Sequence, residues 1–336
     1  MEGPQDPIQR EADGTRDLYE VVEWEPRTVV DAIAVAVYQT GVATLRALVV
    51  ALAIVILVAQ FVLGGLGVVV DPVIGTLVLL SIVPALAVVS YIWYIDVTTR
   101  EPLRLLVATF LLALLFAGFA AIINSATVVP FLMFGGMLGI MTPLAEGTAA
   151  FLGMTLFFFV IVGPIEEAVK VLAIRLYAYR SDRFDAVING AVYGAAAGLG
   201  FATIENAIYI AQVLAAEPDG VGMIRPAGDV AAARALAGPG HVLFSAIAGF
   251  YLGLAKFNPD HAGPLVVKGI LIAAVLHALY NTLVGPVPDT IAATIAPVGQ
   301  FHAVFAFVVV YLSVVGYFLY RKIERYRRTY LDVGLE

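Results

Sequence analysis

Eight stretches of this chain are apolar for about the length a bilayer requires, and that constrains its fold more than any other feature. They lie at roughly 44–69, 73–95, 103–123, 149–178, 185–212, 236–257, 264–285 and 301–320. A helix rises about 1.5 Å per residue, so 20 residues cross the roughly 30 Å hydrocarbon core. Inside lipid every backbone N–H and C=O must find its partner within the protein, which leaves helical bundles and closed barrels. Barrel strands are about ten residues of alternating polarity, and these runs are longer and uniformly apolar. The predicted fold is therefore all-α: a polytopic transmembrane bundle of about eight spanning helices. The composition agrees, with 61% apolar and 13% charged residues. A soluble domain carries about 25% charged residues.

The chain divides into three parts. Residues 1–43 form a polar N-terminal segment. Its first 27 residues read as a disordered tail, and 28–43 as an interfacial helix with Val29, Val30, Ile33, Val37 and Tyr38 on one face. Residues 44–320 hold the spans, and residues 321–336 form a basic tail. The stretch 124–148, with Pro130, Gly135, Gly136 and Pro143, reads as an interfacial or re-entrant segment. Lys and Arg set the orientation. With both termini cytoplasmic, all the basic residues fall inside except Arg225 and Arg234. The expected location is the cell membrane, multi-pass. The net charge of −7 argues against nucleic acid as a partner. The absence of cysteine excludes disulfides, thiolate metal sites and a thiol nucleophile.

Charged side chains inside a span cost about 2.5–3.5 kcal/mol each and persist mainly where they are paired, face a cavity or work. Here they concentrate in four consecutive spans. The fourth carries Gly163-Pro164-Ile165-Glu166-Glu167-Ala168-Val169-Lys170, in which Pro164 interrupts the helix ladder just before two carboxylates. Adjacent carboxylates cannot serve one partner, so Glu166 and Glu167 take different roles. Lys170 lies four residues from Glu166 and can pair with it. The fifth span has Gly190, Gly194 and Gly198 as a packing stripe and ends on Glu205-Asn206. The sixth sets His241, Ser245, Gly249 and Gly253 at intervals of four, and the seventh Gly269, Ala273, His277 and Asn281. Solvated end charges and packing histidines are the plainer reading of each motif taken alone. Taken together, carboxylates, two histidines and an amide make a hydrolytic set. A carboxylate can take a proton from water, histidines can hold a metal or polarise a carbonyl, and Asn can donate to an oxyanion. The alternative is a transporter or channel whose buried Glu, Lys and His relay protons. Such folds usually carry repeats, and residues 44–123 do not repeat in 149–320. A non-catalytic scaffold is the third reading.

The ordered series Glu166-Glu167-x-x-Lys170, Gly200-Phe201-Ala202-x-x-Glu205-Asn206, His241-x-x-Phe244-Ser245 and His277-x-x-x-Asn281 resembles the PrsW family of membrane proteases, relatives of the CAAX-type prenyl proteases. The resemblance covers about residues 90–285, with the motif-bearing core at 149–285. It extends to Arg234 and departs at Asn189, where the family often has Asp. It implies an intramembrane endopeptidase acting on membrane proteins or membrane-anchored peptides in the lipid bilayer. Glu166 is then the base, Glu167 its partner, and His241 and His277 ligands or carbonyl polarisers, with Asn281 at the oxyanion. Lys170, Glu205, Asn206 and Ser245 support them. Zinc is the candidate cofactor, with His241, His277 and Glu205 as its expected ligands, and the resemblance leaves metal-dependent and glutamate-only mechanisms open.

Overall fold

A computed structural model describes residues 5–40, 72–137, 147–215 and 224–334. The helices are α1 (Pro7–Glu11), α2 (Val29–Thr40), α3 (Pro72–Ser81), α4 (Val83–Tyr94), α5 (Leu103–Met137), α6 (Thr148–Phe157), α7 (Gly163–Leu176), α8 (Val187–Ala215), α9 (Ile224–Phe257), α10 (Ala262–Leu283), α11 (Pro286–Thr294) and α12 (Gln300–Asp332). Among the described residues, six helical spans are long and apolar enough to cross a membrane, or seven if the bent pair α3–α4 counts as one. The apolar run expected at 44–69 lies outside the described residues.

The helices are not equivalent. In their most apolar windows, α8 is 89% and α9 83% buried within the protein, against 22% for α12. The two buried helices pack antiparallel along the glycine stripe. A Cβ on Gly190 would overlap the carbonyl of Gly249, one on Gly194 that of Ser245, and one on Gly198 that of His241. Only residues without a side chain let two backbones approach this closely. The stripe therefore sets the depth of His241 relative to α8. Asn189 accepts from the backbone N–H groups of Asp185 and Ala186 at 3.0 and 2.6 Å, capping the start of α8.

Two regions depart from what the sequence suggests. Residues 124–137 are not re-entrant: they continue α5, with Pro130 inside the helix. The long apolar environment keeps the helix intact through the proline, and this carries Asn124 into the bundle. Residues 5–24, which carry no helical periodicity, are not a disordered tail. Ile8, Leu18, Val21, Val22 and Trp24 are buried. Asp6 caps α1 and accepts from Val187 N at 2.9 Å and Tyr326 Oη at 3.1 Å. Burial pushes the Asp6 carboxyl up to about 6. Glu20 and Asp31 pair with Lys268, and Glu20 also pairs with Lys322 at 2.9 Å. This N-terminal clasp lies over one end of α8, α9, α10 and α12.

Candidate active site

Five helices, α5, α7, α8, α9 and α10, supply the polar lining of a cavity of about 530 Å³, which includes Asn124, Glu166, Glu205, Arg234, His241 and Asn281. The two glutamates are set by an irregularity in their own helix. Between α6 and α7 the chain runs as π-helix from Phe158 to Val162, followed by Gly163 and Pro164. Proline offers no N–H to the turn before it, and the wider π turn absorbs that missing bond. Gly163 also sits against the carbonyl of Ala274, so α7 and α10 touch just before the carboxylates.

Glu166 and Glu167 face different partners. Glu166 accepts from Asn124 Nδ2 at 3.0 Å through one oxygen. Its other oxygen, Oε2, is buried without a hydrogen-bond partner and lies 3.7 Å from His277 Nε2 and 4.0 Å from Lys170 Nζ. Glu167 is fully buried and saturated. It takes Lys170 Nζ at 2.7 Å, His277 Nδ1 at 3.0 Å and Ser245 Oγ at 3.4 Å. Lys170 thus pairs with Glu167 more closely than with Glu166.

The two histidine rings lie edge to face with centroids 5.0 Å apart, although 36 positions separate them in the chain. Each is backed by a motif phenylalanine: Phe201 stacks on His241 at 5.5 Å and Phe244 on His277 at 5.4 Å. Their hydrogen-bond partners make them inequivalent. His277 gives its Nδ1–H to Glu167, and its Nε2 faces Glu166. His241 has Lys170 Nζ at 3.1 Å from Nδ1 and Glu205 Oε2 at 2.7 Å from Nε2. An ammonium only donates, so Nδ1 accepts and Nε2 carries the hydrogen given to Glu205. Glu205 is held in turn by Arg234 Nη2 at 2.5 Å.

Glu166, His241 and His277 each offer one ligand atom, all within 4.8 Å of one another. Among the described residues this is the one group of three able to hold a metal ion. Its carboxylate and imidazole donors suit zinc, and the unpartnered Glu166 Oε2 is the kind of atom a cation would satisfy. The residues fit the group. Glu205, expected among the ligands, lies outside that set, against His241 and Arg234. For His241 to act as a ligand, one of its two present hydrogen bonds must be exchanged.

Every site residue expected from the sequence falls in this cluster or on its border. Asn281 lines the cavity, and Asn206 joins Arg234 to α3. Arg234, counted from the sequence among the extracytoplasmic charges, lies inside α9, because that helix starts at Ile224 rather than near 236. Sequence reasoning missed Asn124. The available signal was an amide at the end of a long apolar run, where it is costly unless partnered.

A family profile described as PrsW family intramembrane metalloprotease matches residues 101–314. Protease PrsW of Geobacillus kaustophilus (strain HTA426) is 31% identical over 213 residues, covering 62% of this chain and 79% of its own length. Protease PrsW of Bacillus subtilis (strain 168) is 28% identical over 203 residues, covering 60% and 79%. Protease PrsW of Clostridioides difficile (strain 630) is 29% identical over 210 residues, covering 61% and 77%. No solved structure matches the chain.

Proposed function

The chain belongs to the PrsW family of intramembrane proteases, and from that premise we propose that it hydrolyses peptide bonds of single-span membrane proteins in the cavity beside Glu166. The enzyme is a membrane-embedded endopeptidase of the multi-pass helical class. The observation that carries the assignment of the base is the unpartnered Oε2 of Glu166, buried at the cavity and close to Nε2 of His277. A carboxylate with a free oxygen in such a place can take a proton from water. Asn124 fixes its orientation. Glu167 fixes the tautomer and ring angle of His277, as a carboxylate behind a histidine does in metal sites. Lys170 balances the charge of Glu167. The amide of Asn281, in the cavity lining, is available to a developing oxyanion. Glu166, His241 and His277 would hold a zinc ion. When bound, such an ion lowers the pKa of water and polarises a carbonyl.

The site has a depth. By helix rise, Glu166, Glu205, His241 and His277 lie roughly 21–27 Å from the ends of their helices near Arg180, Val187, Phe257 and Ala262. The N-terminal clasp covers that end, and the basic residues concentrate there. Reading that end as cytoplasmic puts the site in the extracytoplasmic half of the membrane and both termini in the cytoplasm.

The experiment is cleavage of a tagged single-span membrane protein in lipid vesicles, with mapping of the new termini and metal analysis of the purified enzyme. Cuts at the extracytoplasmic edge are expected, and cuts at the cytoplasmic edge would invert the topology. Zinc near one equivalent, reduced in His277→Ala, is the metal-dependent outcome. Full activity in rigorously metal-free enzyme would leave Glu166 acting alone.

A further inference from the structure

A hydrogen-bonded chain leaves the site in the direction opposite to Glu166 and ends at the break between α3 and α4. These two helices meet at Ile82 with a bend of 44°. Ser81, the last residue of α3, is 1% exposed, and its hydroxyl donates to Val78 O at 2.8 Å. With its single hydrogen used, Ser81 Oγ can only accept, and it accepts from Asn206 Nδ2 at 2.8 Å. That orients the Asn206 amide, so that Oδ1 faces Arg234 Nε at 2.8 Å. Arg234 Nη2 then meets Glu205 Oε2, which holds His241 Nε2 at 2.7 Å. Each link has one polarity, so no member can reverse without breaking the next.

We propose that Ser81 and Asn206 are positioning residues for hydrolysis, fixing the Arg234 guanidinium so that Glu205 stays aligned on His241. The inference rests on the hydrolytic reading of the site. The ion pair alone leaves a guanidinium free to turn about the carboxylate. Two contacts from different nitrogens of its planar fork, Nε to Asn206 and Nη2 to Glu205, remove that freedom. Tyr209, whose ring lies 4.7 Å from the Arg234 Cζ, covers the face of the fork. Ser81 supplies the fixed end. Asn206 is fully buried and has no water to fall back on if Ser81 is removed. Ser81 also lies outside residues 101–314, which the family profile matches. The break in α3–α4 and the orientation of His241 are thereby mechanically joined across α3, α8 and α9.

The test uses full-length protein in lipid vesicles with a tagged single-span membrane protein that the wild type cleaves. The variants are Ser81→Ala, Ser81→Thr, Asn206→Ala and the double variant Ser81→Ala/Asn206→Ala, with Glu166→Gln as control. Losing one buried hydrogen bond in the chain should lower kcat about three- to tenfold in Ser81→Ala and about tenfold or more in Asn206→Ala, with KM within about twofold. Ser81→Thr keeps the hydroxyl and should restore kcat. The double variant should match Asn206→Ala alone, because Ser81 acts through Asn206. Wild-type kcat in Ser81→Ala, multiplying effects in the double variant, or a change in KM alone would overturn the proposal. If Asn206→Ala does not purify as a folded protein, the pair Ser81→Ala and Ser81→Thr decides, and equal kcat values overturn it. Cleavage persisting at the wild-type rate in Glu166→Gln would overturn the reading of this cavity as the hydrolytic site, and the relay with it. Loss in Glu166→Gln with normal rates in Ser81→Ala removes the relay alone.

Discussion

Two of the buried polar networks of this protein, one at the cavity and one under the N-terminal clasp, are built to opposite ends. Under the clasp, Glu20 lies between Lys268 and Lys322, Asp31 pairs with Lys268, and Tyr19 donates to Asp31 at 2.7 Å. Glu20 and Asp31 each meet an ammonium, and neither lines the cavity. At the site, Glu167 is saturated in the same way, but its neighbour Glu166 keeps one oxygen without a hydrogen bond at the cavity wall. The first network holds segments together. The second uses one saturated carboxylate to hold a neighbouring one that is not. A buried ion pair is by itself weak evidence of function. Asp31 Oδ1 also lacks a hydrogen bond but lies in close ion-pair contact with Lys268. Glu166 Oε2 is instead 3.7 Å or more from His277 and Lys170 and its residue lines the cavity, and that is what separates the two.

That contrast breaks first at Glu166. Glu166→Gln should lower cleavage by a factor of about 10² to 10⁴ while thermal unfolding in detergent stays near wild type, since Oε2 has no partner to lose. Unfolding of Glu166→Gln at a much lower temperature would mean that Glu166 is structural, like the clasp. The converse change is Lys268→Ala. It leaves Asp31 without its ammonium and Glu20 with Lys322 alone, and removing one partner of a buried pair costs up to about 3–5 kcal/mol. Stability should fall, and the N-terminal segment should become open to protease, while cleavage per folded molecule holds. Equal losses of activity and stability would show that the clasp reaches the site.

A smaller effect tests how the glycine stripe places the site. Gly198→Ala puts a methyl against the carbonyl of His241. Overpacking of this kind costs about 1–3 kcal/mol, and because the displaced residue is His241 itself, kcat should fall more than stability does. Gly253→Ala, which meets the carbonyl of Val187 near the clasp, should cost similar stability and little activity.

The smallest effect is a pH dependence of the clasp. Burial raises the Asp6 carboxyl from 3.8 to about 6. A raised folded value means that the docked segment holds the proton more tightly. The stabilisation is full below about pH 4 and fades as pH rises through 6. Proteolysis of residues near Asp6 should therefore quicken between pH 5 and 7. Asp6→Asn, which mimics the protonated acid, should flatten that dependence. An unchanged profile in the variant would assign the dependence to another group.

Much of this protein follows from sequence alone. Long apolar runs leave little besides helices, because lipid offers no partner to a bare amide. The cost of charge in a span made Glu166, Glu167, Lys170, Glu205, His241 and His277 conspicuous, and the intervals of four in α8 and α9 marked the faces that meet. These are local or one-dimensional signals. What they could not supply is which side chain touches which. Glu167 rather than Glu166 takes Lys170 at 2.7 Å, although the spacing allows both pairings. Asn124 reaches Glu166 because α5 continues past residue 123, on to Met137 with Pro130 inside it, where a local rule reads a break. The N-terminal segment is ordered by partners up to 320 positions away, and no periodicity of its own announces them. Identity and spacing establish what chemistry is present. Distances between five separate helices decide which carboxylate is left free to do it, and those distances are set by backbone contacts, such as Gly198 against His241, that exist only once the helices have packed.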